Sequence, residues 1–299
     1  MAKGMLFAAS AFVIWGLFPI YFKVLASVPP VELLAHRVVW SLAFVALVLA
    51  GRRQWAWLKP LRRQPMVIGG FALSGGLLAL NWCIYIWAVQ NGRIVDTSLG
   101  YFINPLINVL MGWMLLKERL RVGQWLSVAI ALSGVAWLTW HSGSLPWIGL
   151  SLALTFACYG LLRKTARLGP LEGLALESMV LAPIGLLYII WLSSYSQGTV
   201  GHLTPAMQLL VLASGPITAI PLILFAAGAR RIPLSVLGLL QYIGPSLQLV
   251  AAVWLYDEPF EGDRQIAFML IWTALLLYSL ESAWRAWWNR PATALPEAR

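Results

Sequence analysis

The chain has 299 residues, of which 60% are hydrophobic and 11% are charged, and its mean hydropathy is +0.78. Soluble domains carry about 25% charged residues, so this composition excludes a soluble protein and predicts an integral membrane protein in the lipid bilayer. The net charge of +10 does not indicate nucleic-acid binding, because the basic residues stand at the ends of apolar runs, where membrane orientation accounts for them.

Ten apolar runs are long enough to be membrane spans, each of which needs about 20 residues. The first resembles a secretory signal, but its length and its place in the repeat described below favour a retained span. The two cysteines and three histidines give neither a disulfide framework nor a metal-ligand spacing, so we predict no metal site and no cofactor. Spans 1 to 10 cover residues 4–25, 31–50, 66–89, 94–116, 122–140, 146–162, 171–192, 206–229, 234–255 and 265–284.

The distribution of lysine and arginine sets the expected orientation of these spans. With the N-terminus inside, 17 of the 21 basic residues fall in cytoplasmic segments. Cytoplasmic loops of membrane proteins carry this excess, so both termini are expected in the cytoplasm. The predicted fold class is an all-α membrane protein with ten transmembrane helices.

Span 4 has a second copy in span 9. Residues 97–120 align with residues 237–260 at a constant offset of 140, which matches Pro105 with Pro245 and Glu118 with Glu258. Each half has five spans, so the second half must begin on the opposite side of the membrane. We therefore predict two inverted-topology repeats, residues 1–142 and 143–285, followed by a short tail, residues 286–299; such repeats are typical of secondary transporters.

The prolines within spans 4 and 9 predict helix breaks near the middle of the membrane. Proline lacks a backbone donor and clashes with the carbonyl four residues earlier. Pro105, Gly244 and Pro245 are therefore candidate hinges, and the carbonyls freed there could bind a substrate. A simple packing kink is the alternative, since proline is common in membrane helices.

Polar residues recur along span 4 at spacings of 4, 3 and 4, which places Thr97, Tyr101, Asn104 and Asn108 on one helical face. Span 9 repeats part of this pattern. Matched polar faces predict a shared water-filled cavity, and hydrogen bonds between helices are the alternative role for these polar residues. For the tryptophans among the candidates below, the alternative is a position at the membrane interface. The candidate cavity residues are Trp15, Asn81, Trp82, Tyr85, Tyr101, Asn104, Asn108, Tyr159, Gln241, Tyr242 and Gln248.

The amide of Asn104 has no counterpart at Gly244. We therefore expect Asn104→Ala to damage transport more than Gly244→Ala does, through lost ligand contacts.

Arg37 and Glu177 are charges deep in predicted spans, at equivalent places in the repeat. Each costs about 2.5–3.5 kcal/mol in the membrane and needs a partner or water. Arg37 could hold a substrate carboxylate or act in a gate, but His36 and Glu32 within one turn favour a local structural network. A partly desolvated carboxyl can carry a proton, so Glu177 is a candidate for proton coupling. Glu118 and Glu258 mark the ends of spans 4 and 9, with a gating role as the alternative.

The chain lacks the motifs of enzymes. It has no phosphate-binding loop, nucleophile elbow or zinc-protease helix, so we predict no catalytic residues.

Several strings resemble the EamA family of the drug/metabolite transporter superfamily, and its RarD-type permeases in particular. They are Trp15-Gly16, AHRVVWS at residues 35–41, Asn81-Trp82, SLGYFINP at residues 98–105, KERL at residues 117–120 and QYIGP at residues 241–245. The resemblance implies ten helices in two inverted repeats, alternating access, a bacterial inner-membrane location and a central cavity built mainly by spans 1, 3, 4, 6, 8 and 9.

The predicted function is secondary active transport of a small organic solute, by export or exchange. Amino acids and chloramphenicol-like amphipathic compounds are the expected substrate classes, and protons are a candidate coupling ion. The alternatives are a membrane-embedded enzyme and a channel or non-transporting sensor. The sequence is compatible with a monomer or a homodimer.

Overall fold

The structure is a computed structural model that describes residues 2–61, 63–117, 119–195, 197–229, 231–232 and 234–288. These residues form helices joined by short turns, and helical segments lie in each of the ten apolar runs. The helices are α1 Ala2–Gly16, α2 Phe18–Val24, α3 Pro30–Gly51, α4 Leu58–Leu61, α5 Pro65–Gln90, α6 Ile94–Leu116, α7 Val122–Ser142, α8 Trp147–Thr165, α9 Pro170–Ser194, α10 Pro205–Ala229, α11 Leu234–Gln241, α12 Ile243–Val250 and α13 Asp263–Trp288. A short 3₁₀ helix, Val200–His202, precedes α10, and a π-helical turn, Ala251–Leu255, continues α12.

Within the described residues, seven helical segments are long and apolar enough to cross a membrane. The first of them combines α1 and α2. Two further apolar helical segments, Trp147–Arg163 and Ile243–Leu255, are shorter. These segments make the chain a multi-pass membrane protein. Residues 286–288, which the sequence assigned to the tail, continue α13, and the remainder of that tail lies outside the described residues.

The predicted helix breaks at prolines occur in span 9 but not in span 4. Span 9 divides at Tyr242, between α11 and α12, three residues before Pro245. In contrast, α6 continues as one helix through Pro105, so the predicted interruption of span 4 is absent from its secondary structure. Span 1 is interrupted at Leu17, a break that the sequence analysis did not predict.

Helix packing follows a regular pattern across the two halves. The most extensive packings include α7 with α13, α3 with α9, and α6 with α8. Helix α1 packs against both α10 and α12, α5 packs against both α8 and α9, and α3 packs against α10 as well as α9. If spans 1 to 5 are exchanged with spans 6 to 10 in the same order, each of these packed pairs becomes another pair of the same set.

Glycines allow two of these helix pairs to approach closely. A Cβ on Gly100 of α6 would lie 2.6 Å from the carbonyl oxygen of Gly149 in α8. A Cβ on Gly215 of α10 would lie 2.3 Å from the carbonyl oxygen of Trp40 in α3. Small residues at such crossings bring backbones together, and packing contacts are a main source of helix association in membranes.

Candidate functional site

A cavity of about 1190 Å³ lies between the two halves of the chain. Its walls come from α1, α2, α3, α5 and α6 in the first half and from α8, α9, α10, α11 and α12 in the second. The resemblance had implied spans 1, 3, 4, 6, 8 and 9, and the structure adds Arg37 of α3 and residues at the start of α9. This volume is sufficient for a drug-sized molecule.

The cavity is open at one end of the bundle, here called the arginine end. The lining there includes the exposed residues Arg52, Gln54, Pro170 and Arg231, together with half-buried Arg163. These residues belong to segments that the charge distribution assigns to the cytoplasm. A solute could therefore enter the cavity from that end.

The opposite end is closed by hydrogen bonds between loops and helix ends. The Gln90 amide donates to the carbonyl oxygens of Leu25 and Val28, at 3.2 and 3.0 Å. Lys23 Nζ donates to the carbonyl oxygen of Val89 at 3.1 Å. Beneath these contacts, Phe22 is 1% exposed and belongs to the largest cluster of buried apolar side chains. We call this the closed end.

Two buried carboxylates at the closed end bind backbone N–H groups of distant segments. Glu258, 6% exposed, accepts hydrogen bonds from the N–H groups of Ile94 and Val95 at 2.8 and 2.9 Å. The first N–H groups of a helix have no partner within it, and its N-terminus is electropositive, so Glu258 stabilises the start of α6. The sequence had assigned Glu258 to the end of its own span, and its repeat partner Glu118 lies outside the described residues.

Glu32 makes the second contact of this kind. It is 2% exposed and accepts from the N–H groups of Thr199 and Val200 at 3.1 and 2.9 Å. The sequence had placed Glu32 in a local network around Arg37. The structure instead uses it to join α3 to the segment between α9 and α10.

Arg37 lines the cavity and is 3% exposed. Its Nε donates to the Thr218 hydroxyl at 2.7 Å, and its guanidinium carbon lies 3.9 Å from the centre of the Trp82 ring. The rings of Phe18 and Phe22 are 5.4 and 5.3 Å away. Cation–π contacts of this kind contribute about 0.5–2 kcal/mol, which offsets part of the cost of a charge in the membrane.

The guanidinium of Arg37 has unused hydrogen-bonding capacity. Its Nη1 is buried and has no hydrogen-bond partner. Among the residues that the structure describes, no carboxylate lies within ion-pair distance of it. His36 is half-buried on the same helix and is not among the residues that line the cavity.

Glu177 lies in a different environment from Arg37 and does not line the cavity. It is 2% exposed, and its Oε1 accepts from the Ser74 hydroxyl at 2.6 Å. The same oxygen lies 3.8 Å from Nη1 of Arg163, whose Nη2 donates to the carbonyl oxygens of Gly169 and Pro170. Glu177 Oε2 is buried without a partner. The two charges that the repeat equates therefore occupy separate sites.

The predicted polar face of span 4 is only partly a cavity wall. Tyr101 lines the cavity, while Thr97 is fully buried and donates to the carbonyl oxygen of Ile94. Asn104 is 1% exposed outside the cavity lining, with Oδ1 unpartnered, and Asn108 is exposed. Asn108 lies beyond residue 106, where α6 is less covered by other helices, whereas Asn104 is buried by protein outside the cavity lining.

Asn81 lines the cavity but uses its amide to join helices. Its Nδ2 donates to the carbonyl oxygen of Leu152 and to the Thr155 hydroxyl, both at 2.9 Å. The Tyr101 hydroxyl lies 3.4 Å from Asn81 Oδ1. The amide therefore links α5 to α8 and approaches α6.

Gln248 also lines the cavity and joins the two broken spans. Pro19 has no N–H to bond the carbonyl of Trp15 four residues earlier, and the Nε2 of Gln248 donates to that carbonyl oxygen at 3.2 Å. Gln248 Oε1 is buried without a partner. The proline in span 1 was the sequence signal for the unpredicted break at Leu17.

Most of the remaining predicted residues also line the cavity. Trp15, Trp82, Tyr85, Tyr159, Gln241, Gly244 and Pro245 do so. The exceptions are Pro105 and Tyr242, whose ring stacks on Phe102 with 6.4 Å between centres. The Ser98 hydroxyl donates to the carbonyl oxygen of Pro245 at 2.8 Å, which joins α6 to α12 beside the break in span 9.

The sequence analysis missed three cavity residues that the structure brings forward. Thr218 holds Arg37, Arg163 pairs with Glu177, and Phe225 packs against Trp15 with 5.7 Å between ring centres. A hydroxyl between Pro216 and Pro221 in span 8 was a usable signal for Thr218. Arg163 was counted only as a cytoplasmic charge, and nothing in the sequence distinguished Phe225 from other apolar residues.

The chain is similar to known membrane proteins over nearly its whole length. A family model described as the EamA-like transporter family matches residues 2–140. An uncharacterized transporter of Pseudomonas aeruginosa is 45% identical, with 96% of each chain covered. Protein RarD of Escherichia coli is 41% identical, with 94% of this chain and 95% of that protein covered. The chloramphenicol-sensitive protein RarD of Pseudomonas aeruginosa is 33% identical, with 94% and 95% covered.

A protein of known crystal structure has the same fold. Its TM-score against this chain is 0.61 at 22% sequence identity, and the match covers 94% of this chain and 98% of the other.

Proposed function

The chain belongs to the EamA-like transporter family as a RarD-type permease, and from that premise we propose that it is a secondary active transporter of a small organic metabolite or drug. The family and the apolar helices make it a multi-pass protein of the bacterial inner membrane. The observation that carries the proposal is one large cavity between the two halves, open at the arginine end and closed at the other. Carriers that alternate between two sides of a membrane need such a site.

The proposed architecture is ten transmembrane helices in two inverted repeats, residues 1–142 and 143–285. The constant offset of 140 between spans 4 and 9 supports it, as do the most extensive helix packings, which form the same set of pairs when the halves are exchanged. The excess of basic residues supports a cytoplasmic arginine end and cytoplasmic termini. On this orientation the structure is an inward-open state.

Alternating access requires the closed end to open while the arginine end closes. The contacts that must then separate are those of Gln90, Glu258 and Glu32 with segments opposite them. The breaks at Leu17 and Tyr242 are places where spans 1 and 9 could pivot, because Pro19 and Pro245 each remove one helical hydrogen bond there. Mid-helix breaks in both repeats are common at transporter binding sites, and here the second break lies in span 1 rather than span 4.

Counterflow in proteoliposomes tests this function directly. The full chain would be reconstituted with unlabelled amino acids, aromatic acids or chloramphenicol inside, and uptake of the labelled solute measured with and without a pH gradient. A carrier gives saturable uptake that is stimulated by solute on the opposite side. Linear flux with concentration would instead favour a channel, and no saturable exchange of any solute would reject the transporter.

A further inference from the structure

We propose that the cavity binds a small organic anion, with its acidic group held by the Arg37 guanidinium and its apolar body packed against the adjacent rings. This inference rests on the proposed function, because it names the substrate class of the same cavity. The predicted function included both charged metabolites and chloramphenicol-like compounds. The present inference favours an anion over chloramphenicol, which carries no charge.

The first step is that Arg37 is free to bind an anion. Its Nη1 is buried in a cavity-lining side chain and has no partner, and no carboxylate of the described residues is within ion-pair distance. A buried charge needs compensation, and a guanidinium presents several donors in a plane that matches a carboxylate. A bound anion supplies both the charge and the acceptors.

The second step is that the guanidinium is already oriented. Thr218 accepts from Nε at 2.7 Å, and the Trp82 ring lies 3.9 Å from the guanidinium carbon. The hydrogen bond leaves Nη1 without a partner while the ring contact limits rotation of the plane. Preorganised donors bind an anion with less loss of conformational freedom.

The third step is that the charged side chains lining the cavity are mostly positive. The charged lining residues among those described are Arg37, Arg52, Arg163 and Arg231, against the single carboxylate Glu172 near the arginine end. A cleft lined by one sign of charge concentrates solutes of the opposite sign. A cationic solute would find no described carboxylate beside Arg37, and the ammonium of an amino acid would also lack one there.

The surrounding side chains specify the rest of the ligand. Trp82, Phe18 and Trp15 offer aromatic surface in the same cavity. The Tyr85 hydroxyl is buried there without a partner and can donate to a second oxygen of an acidic group. The site therefore fits an aryl or alkyl monoanion better than a small inorganic anion.

Two matched pairs of probes test the inference. Calorimetry on the purified full chain in detergent compares phenylacetate with the neutral phenylacetamide. Counterflow compares benzenesulfonate with benzenesulfonamide, because the sulfonate does not cross lipid as a neutral acid. We expect each anion to be favoured at least tenfold, equivalent to about 1.4 kcal/mol.

Variants then assign the preference to Arg37. Arg37→Gln should weaken anion binding and counterflow at least tenfold and abolish the preference over the amide, while Arg37→Lys should keep part of it. Thr218→Val retains the charge and should weaken anion binding by a smaller factor. The matched control is Arg63→Gln, which removes an exposed arginine outside the cavity lining and should match the unsubstituted chain.

The outcomes separate this inference from the proposed function. Equal handling of anion and amide, or an anion preference that survives in Arg37→Gln, overturns the anion site while saturable exchange still supports a transporter. Saturable exchange of neutral or cationic solutes, but not of anions, would likewise overturn the anion site and support a transporter. No saturable exchange of any probe or metabolite rejects both. If Arg37→Gln does not fold, a reduced anion preference in Thr218→Val supports the site, and an unchanged preference there overturns it.

Discussion

Asn81 and Asn104 are both buried amides in adjoining helices, yet only one has its polar groups matched. Asn81 donates two hydrogen bonds to α8, whereas Asn104 Oδ1 has no partner. Hydrogen bonds between membrane helices contribute about 0.6 kcal/mol each on average. The sequence placed both amides in the binding site, but the structure pairs the amide of Asn81 with α8 and leaves the oxygen of Asn104 without a partner.

Leucine substitution distinguishes these two amides. Asn81→Leu should lower the free energy of unfolding by about 1–2 kcal/mol and reduce the melting temperature by a few degrees. Asn104→Leu should leave the melting temperature unchanged or raise it, since it removes an unsatisfied buried oxygen. Thermal unfolding in detergent measures both. Equal losses in the two variants would contradict the hydrogen-bond assignment.

The structure also revises the comparison of Asn104 with Gly244. Gly244 lines the cavity and Asn104 does not, so Asn104→Ala should retain near-normal counterflow. A Cβ at Gly244 would lie 3.6 Å from the carbonyl oxygen of Phe12, which is an ordinary contact, so Gly244→Ala should also be tolerated. A severe transport defect in Asn104→Ala would restore its predicted ligand role.

Glu177 is the residue on which proton coupling can be tested. Its only close charge partner among the described residues is Arg163, and Ser74 donates to it. If protonation of this carboxyl is part of the cycle, Glu177→Gln should retain exchange while losing its dependence on pH. Counterflow across a range of pH values measures this, with exposed Glu261→Gln as the control. Unchanged pH dependence in Glu177→Gln would reject this residue as the coupling site.

At the scale of helices, the close packing of α6 against α8 depends on a contact between two glycines. Gly100→Ala would bring a Cβ within 2.6 Å of the Gly149 carbonyl oxygen, so the helices must shift apart. Overpacking of this kind typically costs about 1–3 kcal/mol. Gly160→Ala, in the partner helix α8, is the matched control because no atom of another segment lies within 4 Å of the added Cβ. Thermal unfolding should show a loss in the first variant alone.

The helices themselves could be predicted from sequence, but their neighbours could not. Runs of apolar residues require helices in a membrane, since every backbone polar group must be satisfied internally. The exposure of Asn108 depends on how far α6 extends beyond its neighbours, which spacing within one helix does not specify. Proline likewise predicts a lost hydrogen bond, whereas the division of span 1 at Leu17 and the continuity of α6 at Pro105 depend on local packing.

At the scale of the molecule, only some of the positions that the repeat equates came together in the cavity. Trp15 and Tyr159, repeat partners in spans 1 and 6, both line the cavity. The partner pair Arg37 and Glu177 does not share a site, because symmetry relates positions and does not require contact. The Arg37–Thr218 hydrogen bond joins residues 181 positions apart and could not be inferred from either segment alone.

The proposed inward-open state and orientation can be tested together by labelling. Gly160→Cys, in a chain with Cys83→Ser and Cys158→Ser, places a thiol on the cavity wall with open space around it. A membrane-impermeant maleimide should label it in inside-out vesicles and much more slowly in right-side-out vesicles. Labelling mainly from the outside would contradict the orientation, the inward-open state or both.

The Glu258 carboxylate accepts hydrogen bonds from the backbone N–H groups of Ile94 and Val95 and does not bind their side chains. Every residue type except proline offers that donor, so this side of the contact constrains residue identity very little. Evolution can therefore vary positions 94 and 95 without disturbing the hydrogen bonds, while position 258 stays restricted to an acceptor of suitable reach. Such a one-sided constraint produces no correlated substitutions, and we expect the contact to be missing from covariation maps of related chains even though it fastens two spans together.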